Sequence, residues 1–271
     1  METGDLSAVC RAIRRRIAAS LFASGGGHYG GSLSVVEILS VLCHDFVYTA
    51  QQVVSARDRL ILSKGHAAIA LYATLAQLGR LDPSRLPSYA SLESGLEGHP
   101  DMLATPDVDF SSGSLGQGLS VGLGMALALR GARRHVWVVL GDGECQEGQV
   151  WEAAILASRQ RIGNLTAVVD ANGSQDFGFA LDPDIPQLPL PRISDIWSAF
   201  GWQVTEVSGH DPVSLRAAFS SARSAGQSCP SVVIARTRKG AGVELFERQP
   251  TEFHCARLTP EQHRAVMSEI R

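Results

Sequence analysis

Apolar positions recur along this chain with two periods, and their alternation predicts the fold. Leu6, Val9, Ile13, Ile17 and Leu21 line one face of a helix that ends near Ser24. Short apolar runs at 59–63, 135–140, 165–170, 202–207 and 231–235 read as strands. Helical patterns cover 67–78, 119–129, 151–161 and 213–224 between them. In the third of these, Trp151, Ala154, Ile155 and Ser158 share one side, and 119–129 is rich in small residues suited to close packing. Another helix is expected from Ser34, whose spacing to Glu37 matches a capping box. The loops are glycine-rich at 25–31, long at 89–110 and proline-rich at 175–192, with no internal repeat. Five strands alternating with helices predict an α/β protein: a three-layer, open, mostly parallel sheet with helices on both faces.

Composition narrows the class. A chain of 271 residues with 45% apolar side chains can bury a full core. A net charge of −3 gives no basic face for nucleic acid, and no segment has the apolar length of a membrane span. Arg11, Arg14, Arg15 and Arg16 superficially suggest a transit peptide, but Glu2 and Asp5 are wrong for one, and the arginines fall mostly on the polar side of an ordinary surface helix. Five cysteines, odd in number and without a Cys-x-x-Cys pair, suit a reducing compartment, so the cytoplasm is the expectation.

Candidate chemistry starts at two turns. Gly141-Asp142-Gly143-Glu144 follows one strand, and Asp170-Ala171-Asn172 ends the next, with a helix between them. That crossover makes the strands parallel and brings both turns to the carboxyl edge of the sheet, where ligands of open α/β sheets bind. Asp142 and Asn172 can then each offer one oxygen to a hard cation. With so few protein oxygens, magnesium fits better than calcium, and its other positions go to water and a phosphorylated ligand. Alone, Gly-Asp-Gly is a turn; the strand-helix-strand setting makes it a candidate site.

Four histidines, His28, His66, His99 and His254, lie in glycine- or proline-marked loops, where imidazoles can bind oxygens and move protons near neutral pH. His44, His135 and His263 fall in helix or strand patterns and read as structural, and His210 as packing before a helix. Lys64 and Lys239 are the only lysines; both occupy glycine-containing turns, a hint that a compact ammonium is used there. Gly116-x-Gly118-x-x-x-Gly122 has the wrong spacing for a dinucleotide fingerprint, and zinc-protease, Walker and nucleophile-elbow motifs are missing.

These residues carry a family resemblance. Gly27-His28-x-Gly30-Gly31-Ser32, Ser63-Lys64-Gly65-His66-Ala67, Gly98-His99-Pro100, Gly113-Ser114-Leu115-Gly116-Gln117-Gly118, Gly141-Asp142-Gly143-Glu144-x-x-Glu147-Gly148, Asp170-x-Asn172 and Gly209-His210-Asp211 resemble transketolase, in order, from about residue 6 to 255. The resemblance covers only that family's amino-terminal, diphosphate-binding domain. It implies one such domain over 1–271, acting as the amino-terminal subunit of a split transketolase.

By the same resemblance the cofactor is thiamine diphosphate, with magnesium held by Asp142, Asn172 and the Ser174 carbonyl. His66 and His254 flank the diphosphate, Gly143 bonds it, and Leu115 and Gly116 lie against the aminopyrimidine. Gly113, Ser114 and Glu144 complete the cofactor contacts, while His28, His99 and His254 act on a ketose donor whose two-carbon unit passes to an aldehyde. The partner implied is a carboxyl-terminal subunit with the pyrimidine-binding domain, in a heterotetramer. Phe253-His254-Cys255, Lys239-Gly240-Ala241-Gly242 and Phe177 depart from the family's commoner residues and bear on substrate identity, leaving a specialised enzyme with an unusual acceptor open. A 2-oxoacid dehydrogenase-like α subunit would share the Gly-Asp-Gly site without needing the histidine loops. A non-catalytic scaffold would be free to lose both.

Overall fold

The computed structural model describes residues 3–49, 57–132, 134–175, 189–225 and 228–270. The expectations for Phe177 and for most of the proline-rich stretch lie outside these residues. Five parallel strands form one sheet: β1 (Arg59–Leu62), β2 (Val136–Gly141), β3 (Leu165–Ala171), β4 (Gln203–Ser208) and β5 (Ser231–Arg236), in the order β1-β2-β3-β5-β4. β2 and β3 are direct neighbours, with Gly141 opposite Asp170.

Side chains alternate between two helical layers because successive strand residues point to opposite faces. Trp137 and Val139 of β2 and Val233 of β5 join the core under α1 (Thr3–Ala23), α2 (Tyr29–Ser34), α3 (Val36–Val41), α4 (Ala68–Gln77) and α8 (Pro212–Ser224). Val136, Val138 and Leu140 join the core under α5 (Gln117–Ala128), α6 (Gly148–Arg159) and α7 (Ile193–Ala199). The chain ends in α9 (Glu244–Arg248) and α10 (Pro260–Glu269), the latter opened by a capping box of Thr259 and Gln262. The five cysteines form no disulfide. Among the described residues no helix is long and apolar enough to cross a membrane.

Two local expectations are corrected. Ser34 closes α2 instead of capping a helix: its hydroxyl donates to the Asp170 carboxylate at 2.6 Å, while Glu37 pairs with Arg14 at 2.7 Å. Arg14 is therefore the one buried arginine of the four on α1, while Arg11 and Arg15 are exposed as expected. On α6 the buried face is Val150, Ala153, Ala154 and Ala157, whereas Ile155 is 42% exposed. Small residues win that face because α6 packs closely beside α5.

Candidate functional site

Parallel strands in register send their following loops to one edge, and four of them deliver functional groups there. Ser63-Lys64-Gly65-His66 follows β1, Asp142-Gly143-Glu144 follows β2, Asn172 to Gln175 follows β3, and Thr237 to Lys239 follows β5. The His28 loop, His99 and the 113–116 loop close around them. The result is a cavity of about 370 Å³.

At its base lies Asp170, fully buried. It accepts hydrogen bonds from Lys64 Nζ at 2.5 Å and Ser34 Oγ at 2.6 Å, and from Thr237 Oγ1. Burial raises its proton affinity, but the Lys64 ammonium and the hydroxyl donors outweigh burial and hold the carboxyl below its ordinary range. Lys64 also donates to the Gly31 carbonyl at 3.0 Å, fixing the glycine loop against the sheet. A Cβ on Gly31 would stand 3.0 Å from His66 Nε2, so a larger residue there would press on the imidazole.

Asp142 stands above that pair with the opposite character. Its oxygens accept from the Gly143 amide at 2.9 Å and the Gly173 amide at 2.7 Å. Burial first, and the Asp170 charge second, nevertheless push its carboxyl up to about 6. Asn172 Oδ1 accepts from the Ser174 amide at 3.1 Å. Among the described residues no cluster of three or more His, Cys, Asp or Glu side chains could hold a metal.

Three of the four loop histidines are close neighbours, with ring centres 5.3 Å apart for His28–His66, 5.5 Å for His28–His254 and 5.9 Å for His66–His254. Burial, and then the Lys64 charge, hold His66 well below its ordinary value, so its ring is neutral. Buried Lys239 donates to His254 Nδ1 at 2.6 Å and to Ser174 Oγ at 3.3 Å. Its loop is held from behind: the Arg238 amide donates to His210 Nε2 at 2.8 Å, and Arg14 Nε donates to the Ala241 carbonyl at 2.8 Å. Accepting at Nε2 leaves the His210 proton on Nδ1, directed at Glu37 Oε2, 3.0 Å away.

Of the residues expected at the site, His28, His66, His99, His254, Gly113, Leu115, Asp142, Gly143, Glu144, Asn172 and Ser174 line this cavity. Ser114 and Gly116 do not; Ser114 is exposed, and Gly116 is buried beside Glu144. Lys64, Lys239, Gly31 and Gln175 line it as well. The two lysines have a signal in their rarity and their glycine turns. Asp170 shows in sequence only as part of the Asp170-x-Asn172 turn; its pairing with Lys64, 106 positions away, has no signal there.

The amino edge of the sheet carries a larger open cleft of about 730 Å³, lined by Arg130, Arg134, Arg161 and Arg223 among others. α5, α6 and α8 end beside it, and Arg130 donates to the Gln160 carbonyl at the end of α6. Cations are favoured at helix carboxyl ends, which accounts for the arginines there.

Comparison with known proteins places this geometry in a family. Residues 7–269 match the thiamine diphosphate binding domain of transketolase. The chain is 36% identical over 270 residues to a 6-deoxy-6-sulfo-D-fructose transketolase subunit of Clostridium sp. (strain MSTE9), covering 98% of this chain and 96% of that subunit. It is 38% identical over 255 residues to an apulose-4-phosphate transketolase subunit of Actinobacillus succinogenes, covering 92% and 90%. The transketolase structure from Campylobacter jejuni superposes with a TM-score of 0.86 at 26% identity, and the chain spans all of its own length but 43% of that protein. This chain therefore belongs to the transketolase family and comprises its thiamine diphosphate-binding domain.

Proposed function

We propose that this chain is the amino-terminal subunit of a two-subunit transketolase that moves a two-carbon ketol unit from a ketose donor to an aldehyde acceptor. The observation that carries the reading is the meeting of Asp142, Asn172 and the loop histidines in one cavity at the carboxyl edge of the sheet. Bound thiamine diphosphate supplies the electron sink for carbon–carbon cleavage, and the protein supplies orientation and proton transfer. The donor set suits its magnesium complex. Asp142 is a buried carboxylate with raised proton affinity, which a cation would relieve, and too few carboxylates converge to hold the ion without a ligand's own oxygens.

In this reading Asp142, Asn172 and the Ser174 carbonyl hold magnesium, and the Gly143 amide donates to the diphosphate. Neutral His66 and Lys239-paired His254 flank the diphosphate, Leu115 and Gly116 lie against the aminopyrimidine, and Gly113 and Ser114 complete the cofactor contacts. His28 and His99 bind and exchange protons with the donor's hydroxyl and carbonyl oxygens, joined by His254. The whole chain is then one diphosphate-binding domain, working in the cytoplasm. A carboxyl-terminal subunit supplies the pyrimidine-binding domain, in a heterotetramer. The two relatives of nearly equal length are named as transketolase subunits and for ketoses, which supports both a partner and a ketose donor.

Titration of thiamine diphosphate with magnesium into the reconstituted complex, by calorimetry, tests the metal assignment. Asp142→Ala and the isosteric Asp142→Asn should each lower affinity by about 10²-fold or more, since even outer-shell partners of metal ligands are worth 10- to 100-fold. Unchanged affinity in Asp142→Asn would sink it.

A further inference from the structure

Glu144 is a buried carboxylate that forms no ion pair among the described residues. Such a group is costly unless hydrogen bonds satisfy it. Its donors come from three separate segments of the site. Oε1 accepts from Ser63 Oγ at 2.5 Å and from the Gly116 amide at 2.9 Å, and Oε2 accepts from the Gly141 amide at 3.0 Å. Ser63 Oγ in turn accepts from the Gly118 amide at 3.1 Å. One carboxylate thus joins the loop that carries Lys64 and His66, the loop that opens α5, and the turn that carries Asp142.

The joint is stiff on each side. Gly116 has φ +83°, and a Cβ there would lie 2.7 Å from the Glu147 Cβ. A Cβ on Gly118 would lie 2.3 Å from Ser63 Oγ. Three of the roughly four lone-pair positions of the Glu144 carboxylate are filled by protein donors. Little is left for a ligand, although the side chain borders the cavity.

We infer that Glu144 is a positioning residue: through the Gly116 and Gly141 amides and Ser63 it sets the separation between the Leu115–Gly116 segment and Asp142. On the thiamine diphosphate reading, on which this inference rests, those two places hold the two ends of one cofactor. A rigid ligand that spans both requires their spacing to be built in before it arrives. Glu144 then contributes to affinity without touching the ligand.

The free chain, labelled with ¹⁵N-glycine, allows hydrogen exchange to be followed at Gly116, Gly118 and Gly141, while calorimetry reads cofactor affinity in the complex with the partner subunit. Glu144→Gln retains one acceptor oxygen, so Gly116 should stay protected while Gly141 exchanges faster. Glu144→Ala should release both, and Ser63→Ala should release Gly118. Affinity for thiamine diphosphate with magnesium should fall by at least about tenfold in Glu144→Ala and by less in Glu144→Gln, as expected for lost hydrogen bonds to a charged group. Ser63→Ala, a milder change, carries the test if Glu144→Ala does not fold, and should weaken binding several-fold. Faster exchange with wild-type affinity overturns the inference and leaves the proposed function standing. A wild-type complex that binds no thiamine diphosphate overturns the proposed function, and the inference with it.

Discussion

A neutral imidazole at the foot of β2 makes stability depend on pH. His135 is 4% exposed, its Nε2 lies 2.7 Å from Thr166 Oγ1, and its ring centre is 4.5 Å from that of Trp137. Burial, with the Arg223 charge second, pushes it down to about 3. The unfolded chain takes up this proton near pH 6.5, and the folded chain only near 3. The stabilising contribution is therefore complete above 6.5 and is lost as pH falls through that window, at up to about 1.4 kcal/mol per pH unit. Asp142, held up to about 6, works in the opposite sense, gaining a proton more readily when folded. Comparison of wild type with His135→Gln cancels that contribution. Urea unfolding at pH 7.5 and 5.0 should show the variant losing about 2 kcal/mol less than wild type across the interval. Equal losses would mean that His135 takes up its proton in the folded state as readily as in the unfolded one. The strand pattern around His135 is enough to mark it as structural. The depth of its burial is not legible there, because it depends on contact with Thr166 of the neighbouring strand β3.

At the scale of elements, two of the three glycines of α5 have opposite requirements. A Cβ on Gly122 would stand 2.5 Å from the Val138 Cγ2 of β2, in a core without room to yield, whereas nothing lies within 4 Å of a Cβ on Gly124. Alanine gains up to about 1 kcal/mol over glycine in a helix interior, and overpacking costs about 1–3. Gly124→Ala should therefore raise the melting temperature of the isolated chain, and Gly122→Ala should lower it. A rise in both would show that α5 can move off the sheet. This close approach explains which features of the fold are readable in advance. Strand runs, the β2–α6–β3 crossover and the small-residue character of α5 are local, so all are visible in one dimension. Ser34 looks like a cap in sequence because the deciding partner, Asp170, is 136 positions away. The buried face of α6 is hidden in sequence because large apolar residues outweigh the alanines that the α5 contact demands. The site divides the same way: Asp142 and Asn172 announce themselves by strand-end spacing, while the Lys64–Asp170 pair and the Glu144 network exist only once four loops share an edge.

At the scale of the molecule, α5 and α6 lie side by side, and both leave apolar side chains on the outside. Leu127 is 39% exposed, Ile155 42% and Leu156 46%, with Leu115 at 38% near the cavity mouth. Exposed apolar side chains on two neighbouring helices make this face a candidate partner surface. The proposed division of labour gives the same surface a reason. In the proposed function the pyrimidine-binding domain belongs to the partner subunit, so this chain holds only part of the cofactor site. Purified alone, this chain should self-associate and cleave no ketose, and adding a carboxyl-terminal transketolase subunit should restore turnover in a complex of two copies of each. Leu127→Glu and Ile155→Glu, changed together, should keep the isolated chain folded, since both side chains are already partly in water, while weakening that assembly. Turnover assays paired with mass determination by light scattering read all of this in one series. Robust turnover by the isolated chain, with no partner subunit detectable by mass spectrometry, would overturn the two-subunit reading, and assembly unaffected by the double substitution would place the contact on another face.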